Sequence, residues 1–295
     1  MDVFETGYPS ADGITQTRVK ITEPEGEPKA VLQVVHGVKE HADKYDDFAA
    51  CLADRGFVVA VNDLLGHGKS VCDPGNYGYF ARNGNAVLIE DISSMSDLLG
   101  DRYPSLPRYI MGYSMGSFLV RQFIAEPGRA GDAAGAVLVG TTWKRRWKLL
   151  FGRAVCKFLG FFLRDRHRSP FVGRLALGKV TGKQERERLK ETGYTLNAFY
   201  NLFLSISKSQ DVSFYGNIPE DLPLLFLSGS EDALSGKGEG VRKTYMKYRD
   251  ALDGTVDIKI YEGMGHSILF EAGKDEVTED IATWLEEALD ERKKK

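Results

Sequence analysis

The chain has little of several features that mark large protein classes. Cys51, Cys72 and Cys156 are the only cysteines in 295 residues, odd in number and scattered. That excludes a disulfide framework and suits reduced thiols packed as small hydrophobes. No apolar run reaches 18 residues, so no membrane-spanning helix is expected. The start, Met1-Asp2-Val3-Phe4-Glu5, lacks the basic and apolar regions of a secretory signal, and a cytoplasmic protein is the expectation. Positive charge is not in surplus: the net charge of −3 argues against a general nucleic-acid binder. His36 and His41 lie five apart, off the i, i+4 pairing of a helical metal site, and no cysteine group is near, so neither metal nor cofactor is implied. Internal repeats and low-complexity segments are absent as well.

What the chain does have is a rhythm of short apolar runs and amphipathic stretches. Candidate strands are Thr17–Thr22, Ala30–Val35, Phe57–Val61, Arg108–Met111, Ala136–Val139, Leu224–Ser228 and Val256–Tyr261, most of them continuous enough to be buried on both faces. Between them, helical periodicity marks Tyr45–Asp54, Ala86–Leu99, Ser117–Ala125, Gly238–Leu252 and Glu276–Leu289. The alternation predicts an α/β fold, a mainly parallel central sheet with helices on both faces and sites at the carboxyl ends of strands. The rhythm stops near residue 141 and resumes near 222. The expected organisation is therefore a core of residues 1–140 and 222–295, with a helical lid inserted at 141–221. The closing Arg292-Lys293-Lys294-Lys295 reads as a solvated tail.

Gly112-Tyr113-Ser114-Met115-Gly116 is the single G-x-S-x-G of the chain, between the apolar runs Tyr109–Met111 and Phe118–Val120. In a strand-turn-helix elbow the serine is forced onto a sharp turn and its hydroxyl stands clear of the backbone. The following helix aims its free N–H groups at the place where an oxyanion would form. The pattern alone also fits an ordinary glycine-rich turn, and the deciding question is whether an acid and a histidine follow in order. They do. The strand Leu224–Ser228 runs into Gly229-Ser230-Glu231-Asp232, and the strand ending at Tyr261 leads to Gly265-His266. His266 would take the proton of Ser114 as it attacks a carbonyl carbon, and Asp232 would fix the imidazole tautomer, with Glu231 as the rival acid. The oxyanion hole would combine the Met115 amide with one from the loop after Ala30–Val35, where Val38 is the candidate. His36 then reads as a support of that loop rather than as a base.

These residues, with His36-Gly37-Val38-Lys39-Glu40-His41 and Asp63-Leu64-Leu65-Gly66-His67-Gly68-Lys69-Ser70, resemble the serine hydrolases of the α/β-hydrolase fold, and among them the monoacylglycerol lipase and lysophospholipase-like family. The resemblance runs from about Ala30 to the C-terminus and is weakest in the insertion. It departs at Asp232-Ala233, where relatives often have Asp-Pro, and at Ser267, where they often have Glu. It implies an esterase with a small-molecule substrate, a monoacylglycerol, lysophospholipid or similar single-chain ester. Two alternatives remain open: a thioesterase or aminopeptidase-like amidase using the same triad, and a silent small-ligand binding protein on the same scaffold. Epoxide hydrolase and dehalogenase chemistry stands further back, because those relatives carry Asp where this chain has Ser114.

Two other features need a reading. Gly66-His67-Gly68-Lys69-Ser70 ends like a phosphate-binding loop, but the position five before Gly68 is Asp63 and no amphipathic helix follows Ser70. From Lys144 to Arg168 there are nine Lys or Arg against one acid, Asp165. Trp143, Trp147, Leu150, Ala154, Phe158 and Phe161 recur there at helical spacing, with Arg146, Arg153, Lys157 and Arg164 along one edge. Such a helix either packs its apolar face on the core or lies in an anionic lipid interface.

Overall fold

The structure, a computed structural model, describes residues 1–129, 133–177 and 193–294. Eight strands form one sheet in the order β1-β2-β4-β3-β5-β6-β7-β8. They are β1 (Asp2–Pro9), β2 (Gln16–Glu23), β3 (Ala30–Val35), β4 (Phe57–Asn62), β5 (Arg108–Tyr113), β6 (Gly135–Val139), β7 (Leu224–Gly229) and β8 (Val256–Tyr261). From β4 through β3 and on to β8 all pairings are parallel; β1 and β2 form an antiparallel hairpin on one edge. Every residue of β3, β4, β6 and β7 is buried, as befits largely apolar strands covered on both faces.

The helices are α1 (Asp46–Asp54), α2 (Gly84–Arg102), α3 (Met115–Phe123), α4 (Arg146–Leu163), α5 (Pro170–Leu177), α6 (Leu196–Ser209), α7 (Glu239–Arg249) and α8 (Lys274–Lys294). Phe48 and Leu52 of α1 and Val277, Ile281 and Leu285 of α8 cover one face of the sheet. Leu88 and Ile92 of α2, Phe118 and Leu119 of α3 and Val241 and Tyr248 of α7 cover the other. Two boundaries differ from the periodicity. Strand β1 has no apolar run because it is a largely exposed edge strand, and α8 continues through Arg292 to Lys294 because neither Gly nor Pro stops it.

Helices α4, α5 and α6 lie in the connection from β6 to β7; the portion at 178–192 falls outside the described residues. Helix α6 is core as much as cover, since Phe199, Leu202, Phe203 and Ile206 are buried in the cluster that holds α3. Helix α4 lies on α6 through Leu149, Gly152 and Cys156; a side chain at Gly152 would stand 2.7 Å from the Phe203 ring. Both ends of this connection are pinned by one residue of α3. The buried Arg121 guanidinium donates to Thr141 Oγ1 at 3.2 Å at one end and to the Ser209 carbonyl at 2.6 Å at the other. The Gln210 amide reinforces it, accepting from Lys144 N at 2.7 Å and donating to Lys144 O at 2.9 Å.

Trp143 precedes α4, so the expected six-residue face begins at Trp147. That face points outward. Trp147, Leu150, Phe158 and Phe161 are exposed, together with Phe151 and Phe162, and Phe161 is 84% exposed. Arg153 is half-buried and donates to the Tyr200 hydroxyl at 3.2 Å, whereas Arg146 and Arg164 are exposed.

Candidate active site

Strand β5 ends at Tyr113 and α3 begins at Met115, leaving Ser114 alone in the turn at φ 52°, ψ −113°. A non-glycine residue holds such a conformation only where its surroundings over-determine it. Here they do so by close approach: a Cβ on Gly116 would lie 1.9 Å from the Val35 carbonyl oxygen, and one on Gly112 would lie 2.5 Å from that of Gly116. Small residues at these two places let α3 start directly above the end of β3, and Ser114 N is tied to the Val139 carbonyl at 2.8 Å.

The two loops that follow β7 and β8 interlock. A Cβ on Gly229 would lie 2.1 Å from the Met264 carbonyl oxygen, and Glu231 N donates to that carbonyl at 2.9 Å. The interlock brings Asp232 against His266, with His266 Nδ1 3.0 Å from Asp232 Oδ2 and His266 Nε2 2.8 Å from Ser114 Oγ. A proton on Nδ1, facing the carboxylate, leaves Nε2 free to accept from the serine. Asp232 is fully buried and its Oδ1 accepts from Leu234 N at 2.8 Å. Burial pushes its pKa up, but the hydrogen bond and charge of His266 and the amides of Leu234 and Ser235 outweigh that, so it lies below the ordinary value. Glu231, the rival acid, is half-exposed and pairs with Lys237 at 2.8 Å. The structure thus brings Ser114, Asp232 and His266 into one hydrogen-bonded line and leaves Glu231 out of it.

The loop after β3 passes beside the serine: a Cβ on Gly37 would lie 3.1 Å from Ser114 Cβ. Val38 follows, and Met115 opens α3. Glu40 shapes this loop, a role its sequence position did not reveal. Its Oε2 accepts from Gly37 N at 2.9 Å and from the Tyr45 hydroxyl at 2.8 Å, while Oε1 pairs with Lys44. Lys44 in turn lies 3.6 Å above the Phe270 ring.

His36 and His67 are both fully buried behind the loop, rings edge to face at 4.8 Å. His36 Nε2 accepts from Leu64 N at 3.0 Å and its Nδ1 faces the Gly37 carbonyl at 2.8 Å, which makes it a brace between two loops. Burial pushes His36 down to about 4 and His67 down to about 3, so both stay neutral near pH 7. The Gly66–Ser70 turn does not form an anion cradle. The buried Asp63 carboxylate accepts from Lys69 N at 2.7 Å and sits where a Cβ on Gly68 would fall, at 2.3 Å. Among the described residues no group of three His, Cys, Asp or Glu is placed to hold a metal ion.

The sequence matches the family described as serine aminopeptidase, S33, over residues 26–273. Monoglyceride lipase of Rattus norvegicus is 25% identical over 275 residues, which cover 89% of this chain and 84% of that protein. Monoglyceride lipase of Homo sapiens is 34% identical over 116 residues, or 39% of this chain and 36% of that protein. Among solved structures, a thermostable carboxyl esterase from Bacillus coagulans in complex with glycerol aligns with a TM-score of 0.86 at 23% identity, covering 98% of this chain and 99% of that one.

The two buried histidines make stability depend on pH. Their folded pKa values of about 4 and about 3 lie below the ordinary 6.5. The unfolded chain therefore binds protons first as the solution is acidified. Their contribution is complete above pH 6.5 and is lost as pH falls below it, at up to about 1.4 kcal/mol per pH unit for each ring. Urea unfolding should show about 2 to 4 kcal/mol less stability at pH 5 than at pH 7.5. The His67→Gln variant should show a shallower pH slope; an unchanged slope would contradict the assignment.

Proposed function

The chain belongs to the serine aminopeptidase S33 family of hydrolases and has the α/β-hydrolase fold, and from that footing we propose that it cleaves carboxylic esters of single-chain lipids through an acyl-enzyme on Ser114. Monoacylglycerols and lysophospholipids are the substrate class. The observation that carries the reading is the 2.8 Å contact of His266 Nε2 with a serine hydroxyl at the N-terminus of α3. His266 removes the serine proton as Oγ attacks the ester carbonyl, then returns it to the leaving alkoxide. Asp232 holds the imidazole and balances its charge while it is protonated. The amides of Val38 and Met115 bind the carbonyl oxygen as it becomes negative. Water then attacks the acyl-enzyme by the same route and releases the fatty acid.

An amidase removing N-terminal residues has the family description in its favour, but it needs a free carboxylate for the substrate ammonium. Glu40, the acid beside Gly37, is already engaged by Gly37 N, Tyr45 and Lys44. The relatives called monoglyceride lipase and the esterase fold neighbour support the ester reading.

The insertion acts as a lid that docks on an anionic lipid surface. Supporting this are the aromatic face that α4 turns to solvent and the basic residues around it. Among the described residues Arg145, Arg146, Lys148 and Arg164 enter no ion pair. Exposed aromatic side chains would enter the acyl boundary while the cations meet headgroups. Among the described residues no helix is long and apolar enough to cross a membrane, so the contact is peripheral.

A fluorophosphonate probe should label the unaltered protein and not Ser114→Ala, and monoacylglycerol turnover should exceed that of aminoacyl nitroanilides. Absence of labelling would favour the silent-scaffold reading, and faster nitroanilide cleavage the amidase. At low salt the protein should sediment with phosphatidylserine-containing vesicles and less with phosphatidylcholine. The triple variant Arg145→Ser, Arg146→Ser, Lys148→Ser should bind about 100-fold more weakly, at about 1 kcal/mol per cation. No sedimentation with either vesicle would remove the docking proposal.

A further inference from the structure

Tyr194 stands just before α6, in the insertion, yet its side chain reaches the loop after β3 and the first residue of α3. The ring is fully buried, edge to face with Phe80 at 5.2 Å and His67 at 5.5 Å. Its hydroxyl has three neighbours. His67 Nε2 lies 2.5 Å away. Because His67 Nδ1 faces the Leu65 carbonyl at 3.1 Å and carries the proton there, Nε2 accepts and the tyrosine donates. On the other side the tyrosine oxygen accepts from the Lys39 amide at 3.2 Å. The third neighbour is the Met115 side chain, whose Sδ is 3.8 Å away.

Two of these three neighbours belong to the oxyanion geometry. Lys39 follows Val38 directly and sits at φ 61°, a conformation that a side-chain-bearing residue keeps only under external restraint. Met115 carries the second amide. We infer that Tyr194 is a positioning residue for the oxyanion hole: a hydroxyl delivered by the insertion holds the Val38-Lys39 turn in register and abuts Met115, while neutral His67 aims it. This rests on the reading of Ser114 as nucleophile and of the Val38 and Met115 amides as oxyanion donors.

The consequence is a physical link between the insertion and the chemistry. Thr195, the next residue, accepts from Ala198 N as the cap of α6 and donates to the Gly78 carbonyl at 2.6 Å, so the tyrosine is anchored to the start of that helix. Helix α6 also carries α4. The tyrosine hydroxyl thus reaches the Val38-Lys39 turn from the start of α6.

Tyr194→Phe removes the hydroxyl and keeps the ring. Losing an oxyanion donor outright costs about 100- to 1000-fold in rate, and loosening its support costs less. With p-nitrophenyl butyrate, a soluble substrate, kcat should fall about tenfold with KM changed less than twofold. Affinity for an alkyl boronic acid, which forms a tetrahedral adduct on the serine, should fall by the same factor, while affinity for the product acid is retained. A merely structural tyrosine would move Tm without that split. Should Tyr194→Phe fail to fold, His67→Gln carries the same expectation at about threefold, because the hydroxyl is then less firmly aimed. Unchanged kcat, or a rise in KM alone, in either folded variant overturns the inference. Absence of turnover in the unaltered chain, or turnover retained by Ser114→Ala, counts instead against the nucleophile assignment beneath it.

Discussion

The structure depends on one close approach: α3 begins directly over the end of β3, with Gly116 so near the Val35 carbonyl that no Cβ fits. Because helix and strand touch there, the residue between β5 and α3 has no room for an ordinary turn and is forced to positive φ. That residue is Ser114. The same contact sets the loop after β3 beside the serine, with Gly37 against Ser114 Cβ. A parallel sheet covered on both faces supplies the rigidity; the loops after β7 and β8 then need only meet above it for Asp232 and His266 to align.

How much of this was legible in the sequence follows from how local each feature is. The alignment of Ser114, Asp232 and His266 was legible because each follows the end of an apolar run, and strand ends in a parallel sheet converge on one edge. Val38 was proposed by the same reasoning. Strand β1 was not, since an exposed edge strand needs no apolar stripe to pair with β2. The aromatic period of α4 was correct within the helix, but a period says only that a stripe exists. Which side faces inward is decided by Leu149, Gly152 and Cys156, whose small or buried side chains fit against α6. Tyr194 lay beyond sequence reasoning altogether, because its partners Lys39 and His67 are far away along the chain and no spacing connects them.

Around the proposed nucleophile the polar groups fall into two sets. Asp232 and His266 lie in one line with the serine. Behind the loop after β3, Glu40, His36, His67 and Tyr194 use their hydrogen-bonding capacity on backbone groups, on one another and, for Glu40, on Tyr45 and Lys44. The second set holds backbone in conformations that would otherwise relax, with neutral imidazoles acting as struts. The insertion joins this set through one hydroxyl, while its outer face presents aromatic rings to solvent. The proposed lipid contact and the proposed support of the oxyanion hole thus fall on two faces of one helical unit.

The proposed ester cleavage stands or falls with a covalent acyl group on Ser114. It is tested most directly by mixing the protein with a monoacylglycerol, quenching in acid within the first turnover, and measuring intact mass and the modified peptide. A mass increase equal to the acyl group is expected, located at Ser114 and removed as turnover proceeds. Turnover with no adduct at any quench time, or an adduct on another residue, would contradict it.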